Sequence, residues 1–231
     1  MDTSLYKPLL YIRKNRESSY IVLTNLNITE NSKLVYKGNV FPYADTDIIV
    51  GSLDTSNAID HFGIGISQKN NNYYLHGICG NTVTISQLNS DFNKNNIVEI
   101  EFTGNSYFKI NNQIVDNTEK STSFNRTRLF ICGANRTGTY TSIQQYIYQI
   151  KLYENGTTLS YDFIPCKRLS DNVVGMYDKV HNKFYPPTKG TFYEPIIMDD
   201  IKSLTIPEGN VTKIEDSEGK VIWSALQDSN T

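Results

Sequence analysis

The chain has 231 residues, and its 22 Lys and Arg against 24 Asp and Glu give a formal net charge of −2 at pH 7. This balance, without an extended basic stripe, argues against a nucleic acid partner. No stretch has the length and apolar character of a membrane span, and the first residues lack the pattern of a signal peptide. We therefore predict neither membrane insertion nor a secretory leader.

Short apolar runs separated by turn residues fill the first part of the chain. Residues 20–23 and 47–51 read as early strands. Residues 61–66 and 73–76 flank an Asn-rich turn at residues 70–72. Because Asn tolerates the left-handed backbone of tight turns, this arrangement predicts a hairpin.

Apolar and acidic residues alternate from Val98 to Phe102, with the apolar ones on one strand face and Glu99 and Glu101 on the other. A tight turn at Asn111-Asn112 then joins two further short strands. The pattern is typical of an antiparallel meander.

A longer alternating run follows after residue 145. Tyr146, Tyr148, Ile150 and Leu152 alternate with the residues between them, so we place these four on one face of a strand.

The dipeptide Asn155-Gly156 favours a tight hairpin into a further strand at residues 158–163. No convincing helix of three turns is present. Strands this short, with turns at intervals of roughly 8–12 residues, indicate a sandwich or barrel. The predicted fold class is therefore all-β.

A change in composition near Pro195 marks a domain boundary. We assign residues 1–197 to a β-sandwich, 198–226 to a small β module and 227–231 to a tail that we expect to be disordered. The module has three short runs and is too small to hold a core alone. We expect it to pack on the sandwich or on a partner.

Cys79, Cys132 and Cys166 are few, odd in number and set among apolar or small neighbours. This favours buried thiols over a disulfide. The densest basic stretch, residues 13–16, is interpreted as an exposed turn.

The segment 146–193 carries a long ordered set of motifs. They are Asn155-Gly156, Asp162-Phe163-Ile164-Pro165-Cys166, Asp171-Asn172, Gly175-Met176-Tyr177-Asp178, Lys183-Phe184-Tyr185 and Gly190-Thr191-Phe192. In this order they resemble the concanavalin A-like, laminin G-like jelly-roll sandwiches of phage and prophage virion proteins. The residues also suggest that Pro165 stops strand pairing, and that Asp171-Asn172 caps a turn through backbone amides.

The segment from Ile206 to Trp223 resembles a short module appended to other phage structural proteins. The resemblances imply a bacteriophage virion structural protein, displayed on a tail, baseplate or head and made in the bacterial host cytoplasm. Other virion proteins and further copies of the chain are the expected partners, with host adhesion as an added role. The candidate assembly contacts are Ile206, Val211, Ile214, Val221 and Trp223, although Trp223 packed within its own chain remains an open alternative.

The alternative function is a lectin-like carbohydrate-binding module whose main role is receptor binding. Aromatic side chains on such a sandwich stack on sugar rings. The candidates are Tyr73, Tyr74, Tyr140, Tyr146 and Tyr148, and ordinary sheet surface is the competing interpretation for each of them.

Catalysis is not expected. Glycoside hydrolysis needs a complete carboxylate set, whereas Glu99 and Glu101 lack a third member and the cluster Glu215, Asp216 and Glu218 has the wrong spacing. We predict no catalytic residue, no metal site and no cofactor. A structural calcium ion remains the open exception. Its candidate loop ligands are Asp45, Asp47, Asp54, Asp60, Asp171 and Asn172.

Overall fold

The computed structural model describes residues 1–15, 19–41, 47–52, 61–69, 72–80, 82–87, 97–104, 107–116, 124–133, 135–136, 139–140, 144–195, 213–215 and 221–224. Within these ranges every element of regular secondary structure is a β-strand. This confirms the all-β fold class.

The strands divide between two compact units, Met1–Glu194 and Pro195–Thr231. In chain order the strands are β1 (Tyr6–Pro8), β2 (Ile12–Lys14), β3 (Ile21–Ile28), β4 (Lys33–Phe41), β5 (Asp47–Ser52), β6 (His61–Lys69), β7 (Asn72–Gly80), β8 (Thr82–Gln87), β9 (Val98–Thr103), β10 (Tyr107–Ile110), β11 (Gln113–Asp116), β12 (Arg126–Ile131), β13 (Asn135–Arg136), β14 (Thr139–Tyr140), β15 (Gln144–Tyr153), β16 (Tyr161–Arg168), β17 (Val174–Asp178), β18 (Lys183–Tyr185), β19 (Lys213–Glu215) and β20 (Val221–Ser224).

Two large antiparallel sheets make up most of the first unit, which also contains the short antiparallel pair β13–β14. The larger, ten-stranded among the described residues, runs β11-β10-β9-β4-β15-β16-β17-β18, with β2 beside β15 and β1 beside β16. The smaller runs β3-β12-β5-β6-β7-β8. Side chains from both sheets, such as Leu34 and Ile100 from one and Phe62 and Leu75 from the other, belong to a single buried cluster. The fold is therefore a jelly-roll β-sandwich, as predicted.

Aromatic packing fixes the middle of the core. The Phe102 ring lies 5.4 Å from the Phe62 ring and 5.9 Å from the Phe108 ring, measured between centroids. Gly77 leaves the space for it, because a Cβ at residue 77 would lie 2.7 Å from Phe102 Cε2. Val98 and Phe102 point inward while Glu99 is exposed, so the predicted faces of β9 are confirmed.

Both predicted hairpins are confirmed by the pairing of their strands, although residues 70 and 71 of the first turn lie outside the described ranges. β6 and β7 pair along their whole lengths, from His61 opposite Gly80 to Lys69 opposite Asn72. Between β10 and β11, Asn111 and Asn112 have φ values of 48° and 66°. Two consecutive left-handed residues form the type I′ turn that suits a right-twisted hairpin.

The predicted faces of β15 need a correction. Ile147 pairs with Gly38 while Gln149 pairs with Lys37, so Tyr148 is an extra residue in a β-bulge. Before the bulge the buried residues are Gln145 and Ile147, and after it they are Ile150 and Leu152. Tyr146 and Tyr148 therefore face away from the core, opposite to the side occupied by Ile150 and Leu152.

Two expectations about the following strand were also wrong. Residues 158–160 belong to the loop after β15, where the Asn155 side chain accepts a hydrogen bond from the Thr158 amide at 2.8 Å. Pro165 does not end pairing, because β16 continues to Arg168. The Pro165 carbonyl points toward the β1 side, where it accepts a hydrogen bond from the Leu9 amide at 3.1 Å. Since the N–H and C=O of one strand residue point to the same side, the N–H that proline lacks would also point away from β17. The pairing of β16 with β17 therefore loses no hydrogen bond.

The described part of the basic stretch, residues 13–15, is not an exposed turn, and Arg16 lies outside the described ranges. Lys14 belongs to β2 and is 0% exposed, and its Nζ donates to the Asn15 carbonyl at 3.1 Å. The reason is that β2 pairs with β15, Lys14 opposite Gln145, and turns Ile12 and Lys14 toward the core. The prediction of buried thiols is confirmed, since all three cysteines are free and buried.

The second unit contains the antiparallel pair β19–β20, with Ile214 opposite Trp223. Val221 pairs with Glu215 in the same hairpin. Ile206 and Val211 lie outside the described residues, as does the first of the three predicted short strands.

Candidate functional site

Three tyrosines form a cluster on the outer face of the larger sheet, here called the tyrosine platform: Tyr11, Tyr146 and Tyr148. The Tyr11 ring lies 5.1 Å from the Tyr146 ring at an interplanar angle of 22°, and 5.2 Å from the Tyr148 ring at 39°. All three are half-buried. Tyr146 and Tyr148 share this face because they are two residues apart in β15, and the bulge at Tyr148 returns Ile150 and Leu152 to the opposite, buried face.

A polar and aromatic row crosses the sheet at Tyr146. Tyr146 lies between Asn39 of β4 and Arg13 of β2, and Arg13 in turn bridges to Tyr193. The Arg13 guanidinium lies 5.7 Å from the Tyr193 ring centroid, and its Nε donates to the Glu194 carbonyl at 2.9 Å. Arg13 is therefore held in place beside the platform.

The platform combines apolar ring faces with phenol hydroxyl groups. Burial raises the pKa of Tyr148, and the neighbouring Tyr11 and Tyr146 raise it further. Phenol side chains beside a guanidinium offer stacking surface together with hydrogen-bond donors. This combination suits a ligand that has both apolar faces and hydroxyl groups.

Of the five tyrosines predicted to stack on sugars, the structure brings together only Tyr146 and Tyr148. Tyr73 packs against the core from the inside. Tyr74 alternates with it and faces outward from the smaller sheet. Tyr140 lies in β14, and its side chain is outside the described part. Sequence analysis missed Tyr11, whose position depends on the pairing of β2 with β15 rather than on any local signal.

A second feature, here called the end groove, lies where three connections meet at one end of the sandwich. Its cavity volume is about 450 Å³. The connections follow β3, β9 and β15. The lining residues are Asn27, Thr29, Asn31, Lys33, Thr103, Tyr107, Glu154, Asn155, Gly156 and Thr157.

A smaller depression of about 390 Å³ lies near Arg168, Asn172 and Phe192. Asp171 there accepts two hydrogen bonds from the Arg168 guanidinium, at 2.9 and 2.6 Å, and one from the Val173 amide at 3.3 Å. The Arg168 contact lowers the pKa of Asp171. The predicted turn cap at Asp171 is thus confirmed.

The carboxylates considered for catalysis or metal binding are dispersed. Glu101 accepts a hydrogen bond from the Tyr107 hydroxyl and lies 3.7 Å from Lys109 Nζ, whereas Glu99 is exposed on the same face. Among the described residues, no group of three or more His, Cys, Asp or Glu is placed to hold a metal ion. Asp47 begins β5, and the candidate ligands Asp45, Asp54 and Asp60 lie outside the described ranges. Structural calcium stays a prediction.

The predicted assembly contacts Ile214, Val221 and Trp223 lie on β19 and β20, and the described part of the chain places their backbone only. Glu215 also lies in β19, while Asp216 and Glu218 fall outside the described ranges. Nowhere in the described ranges is there a helix of the length and apolarity needed to cross a bilayer.

No family model and no curated protein sequence matches the chain. Among solved structures it is similar to the X-ray crystal structure of Xenopus laevis galectin-Ib, with 17% sequence identity over 58% of this chain and 99% of that chain and a TM-score of 0.28. A likeness this remote carries no conclusion about function.

Proposed function

We propose that this chain is a structural component of a bacteriophage virion, without catalytic activity, in which the sandwich is displayed and the second unit attaches to other virion proteins. The observation that carries the proposal is the division into a sandwich with a complete core and a separate small unit. The motif order over residues 146–193, which resembles virion sandwiches, supports it. Assembly as a symmetric homo-oligomer follows from a virion location.

The size of the second unit explains why it suits attachment. Its described strands, β19 and β20, have three and four residues. A two-stranded hairpin of this size is at best marginally stable in water by itself. Burial against a neighbouring virion protein gives such a hairpin the apolar contacts that it lacks alone.

The attachment role predicts the behaviour of a chain that ends at Glu194. We expect it to fold with an unchanged melting temperature, because it keeps the buried cluster and the contacts of Glu194 with Arg13 and Lys167. We also expect it to be absent from particles. The measurement is thermal melting together with immunoblotting of purified particles. Full-length chain carrying Tyr74→Ala serves as the control that incorporates, and normal incorporation of the shortened chain refutes the attachment role.

The tyrosine platform supports a second role in glycan binding. The observation that supports this role is the packing of the Tyr11, Tyr146 and Tyr148 rings beside Arg13. Such a platform matches the apolar face and hydroxyl edge of a sugar ring. Adhesion of a displayed sandwich to host-surface glycans is consistent with the virion role.

The glycan role predicts that Tyr146→Ala and Tyr148→Ala each weaken binding roughly fivefold, since loss of one aromatic contact costs about 1 kcal/mol. Binding is measured on a glycan array and on host cells. Tyr74→Ala is the matched control, because Tyr74 is half-buried on the other sheet and should leave binding unchanged. An array without hits, together with no binding to host cells, restricts the chain to scaffolding.

A further inference from the structure

The end groove contains an ammonium and a carboxylate that do not neutralise each other. Lys33 Nζ lies over the Tyr153 ring, 4.1 Å from its centroid. With the residues that the structure describes, Lys33 forms no ion pair. Glu154, which also lines the groove, is thus not in contact with the Lys33 ammonium.

Glu154 is held by its own backbone surroundings. One carboxylate oxygen, Oε1, accepts a hydrogen bond from the Asn27 amide, and the Glu154 carbonyl accepts one from the Ser32 hydroxyl. The other carboxylate oxygen, Oε2, has no hydrogen bond to a described residue. The Lys33 ammonium is likewise held by its contact with the face of the Tyr153 ring. The groove therefore presents a donor and an acceptor that are already oriented.

The remaining walls are polar and uncharged. The side chains of Asn31 and Thr157 line the groove and are exposed. Glu101 adjoins the groove residue Tyr107, whose hydroxyl donates to it, and Glu101 is paired with Lys109 at 3.7 Å. The groove as a whole is electrically balanced, which favours a neutral ligand over an anion or a cation.

We propose that the end groove binds a neutral, hydroxyl-rich ligand of the carbohydrate class. One hydroxyl accepts from the Lys33 ammonium and a neighbouring hydroxyl donates to Glu154 Oε2, so that the ligand bridges two charges that the protein leaves apart. Amide and hydroxyl groups of Asn31 and Thr157 complete the contacts. The volume of about 450 Å³ lies in the range of small-molecule sites. This site is separate from the tyrosine platform and does not depend on the virion role.

The test titrates the full chain with lactose, maltose and cellobiose and follows binding by saturation-transfer NMR. Lys33→Met keeps the apolar stem over Tyr153, and Glu154→Gln keeps an oxygen for the Asn27 amide. We expect each to weaken binding roughly tenfold, the usual effect of removing a charge-assisted hydrogen bond. Lys37→Met is the matched control, since Lys37 lies on the same face of β4 but outside the groove. Thermal melting confirms that each variant is folded.

Three results overturn the proposal. They are no binding of any of the three disaccharides to the unaltered chain, binding that neither Lys33→Met nor Glu154→Gln weakens, and binding of the zwitterion glycine in place of the sugars. Tyr146→Ala separates this site from the glycan role of the platform. Loss of the disaccharide signal in Tyr146→Ala but not in the groove variants assigns the sugar to the platform, whereas the reverse supports the groove even if the platform binds nothing.

Discussion

Among single residues, Tyr36 carries an unpaired polar group within the core. Removing that group tests how far it lowers the free energy of unfolding. The Tyr36 hydroxyl is buried and has no hydrogen-bond partner in the described structure. An unsatisfied buried group costs about 1–3 kcal/mol. We therefore expect Tyr36→Phe to raise the free energy of unfolding by about 1 kcal/mol, measured by urea denaturation.

The comparison for Tyr36 is Tyr107→Phe. The Tyr107 hydroxyl donates to Glu101, so its removal is expected to lower stability rather than raise it. If Tyr36→Phe also lowers stability, the Tyr36 hydroxyl has a partner in solution, such as a buried water, and the account of its cost is wrong.

The conformation or burial of some residues could be predicted from their immediate sequence neighbours, whereas that of others could not. The turn at Asn111-Asn112 followed from the ability of Asn to adopt a positive φ, which needs only its immediate neighbours. The burial of Lys14 did not follow from its neighbours, because charge alone favours exposure. It depends on β2 pairing with β15, a contact between residues more than a hundred positions apart.

At the scale of elements, the bulge in β15 determines what both ends of the strand bury. Deletion of Tyr148 removes the extra residue and leaves Ile147 opposite Gly38 and Ile150 opposite Tyr36 in a continuous ladder. Ile147, Ile150 and Leu152 then stay on the buried face by simple alternation. Because no buried side chain changes face, we expect the deletion variant to melt close to the unaltered chain, as measured by thermal melting.

Tyr148→Ala is the matched change, because it keeps the extra residue and removes only the ring. It should also melt close to the unaltered chain while weakening platform binding roughly fivefold, as expected for the loss of one aromatic contact. A deletion variant that melts well below the unaltered chain contradicts the pairing of the two halves of β15 with β4.

The bulge also shows why strand faces could be predicted only in part. The alternation in β9 was sufficient to assign its buried face, because the strand is short and regular. In β15 the same rule failed at one residue, since no residue type marks a bulge and a single insertion exchanges the faces. Two of the three platform tyrosines, Tyr146 and Tyr148, were therefore predicted from the sequence, but their position relative to Ile150 and Leu152 was not.

At the scale of the whole molecule, the segment after β18 closes the sandwich. The Thr188 amide donates to the Tyr20 carbonyl at 2.8 Å, and the Thr188 hydroxyl accepts from the Val22 amide at 2.9 Å, covering part of the edge strand β3. Farther along, Tyr193 exchanges backbone hydrogen bonds with Arg13 at 2.8 and 3.0 Å. The motif order indicated that this segment belongs to the sandwich. Its pairing with residues near the start of the chain could not be predicted from the sequence, because it depends on how the strands are arranged in the fold.

The thiols and phenols that are wholly or partly buried share one direction of pKa shift. Burial raises the pKa of Cys132 to about 12 and that of Cys166 to about 11. It raises the pKa of Tyr36, Tyr148 and Tyr161 as well. In each case the protonated form is the one that the folded state favours. The unfolded chain therefore ionises first as pH rises, beginning near the ordinary thiol value of about 8.5 and continuing near 10 for tyrosine.

The stability that these groups provide is fully present below about pH 8 and is lost as pH rises toward 12. Cys132 alone accounts for a loss of about 3 kcal/mol between pH 8.5 and 11. Urea unfolding at pH 7.5, 9, 10 and 11 checks this, and Cys132→Ala and Tyr36→Phe should each flatten the decline. Because these thiol and phenol pKa values are all raised, a flat profile from pH 7.5 to 11 contradicts the buried placement of these groups and with it the packing of the two sheets.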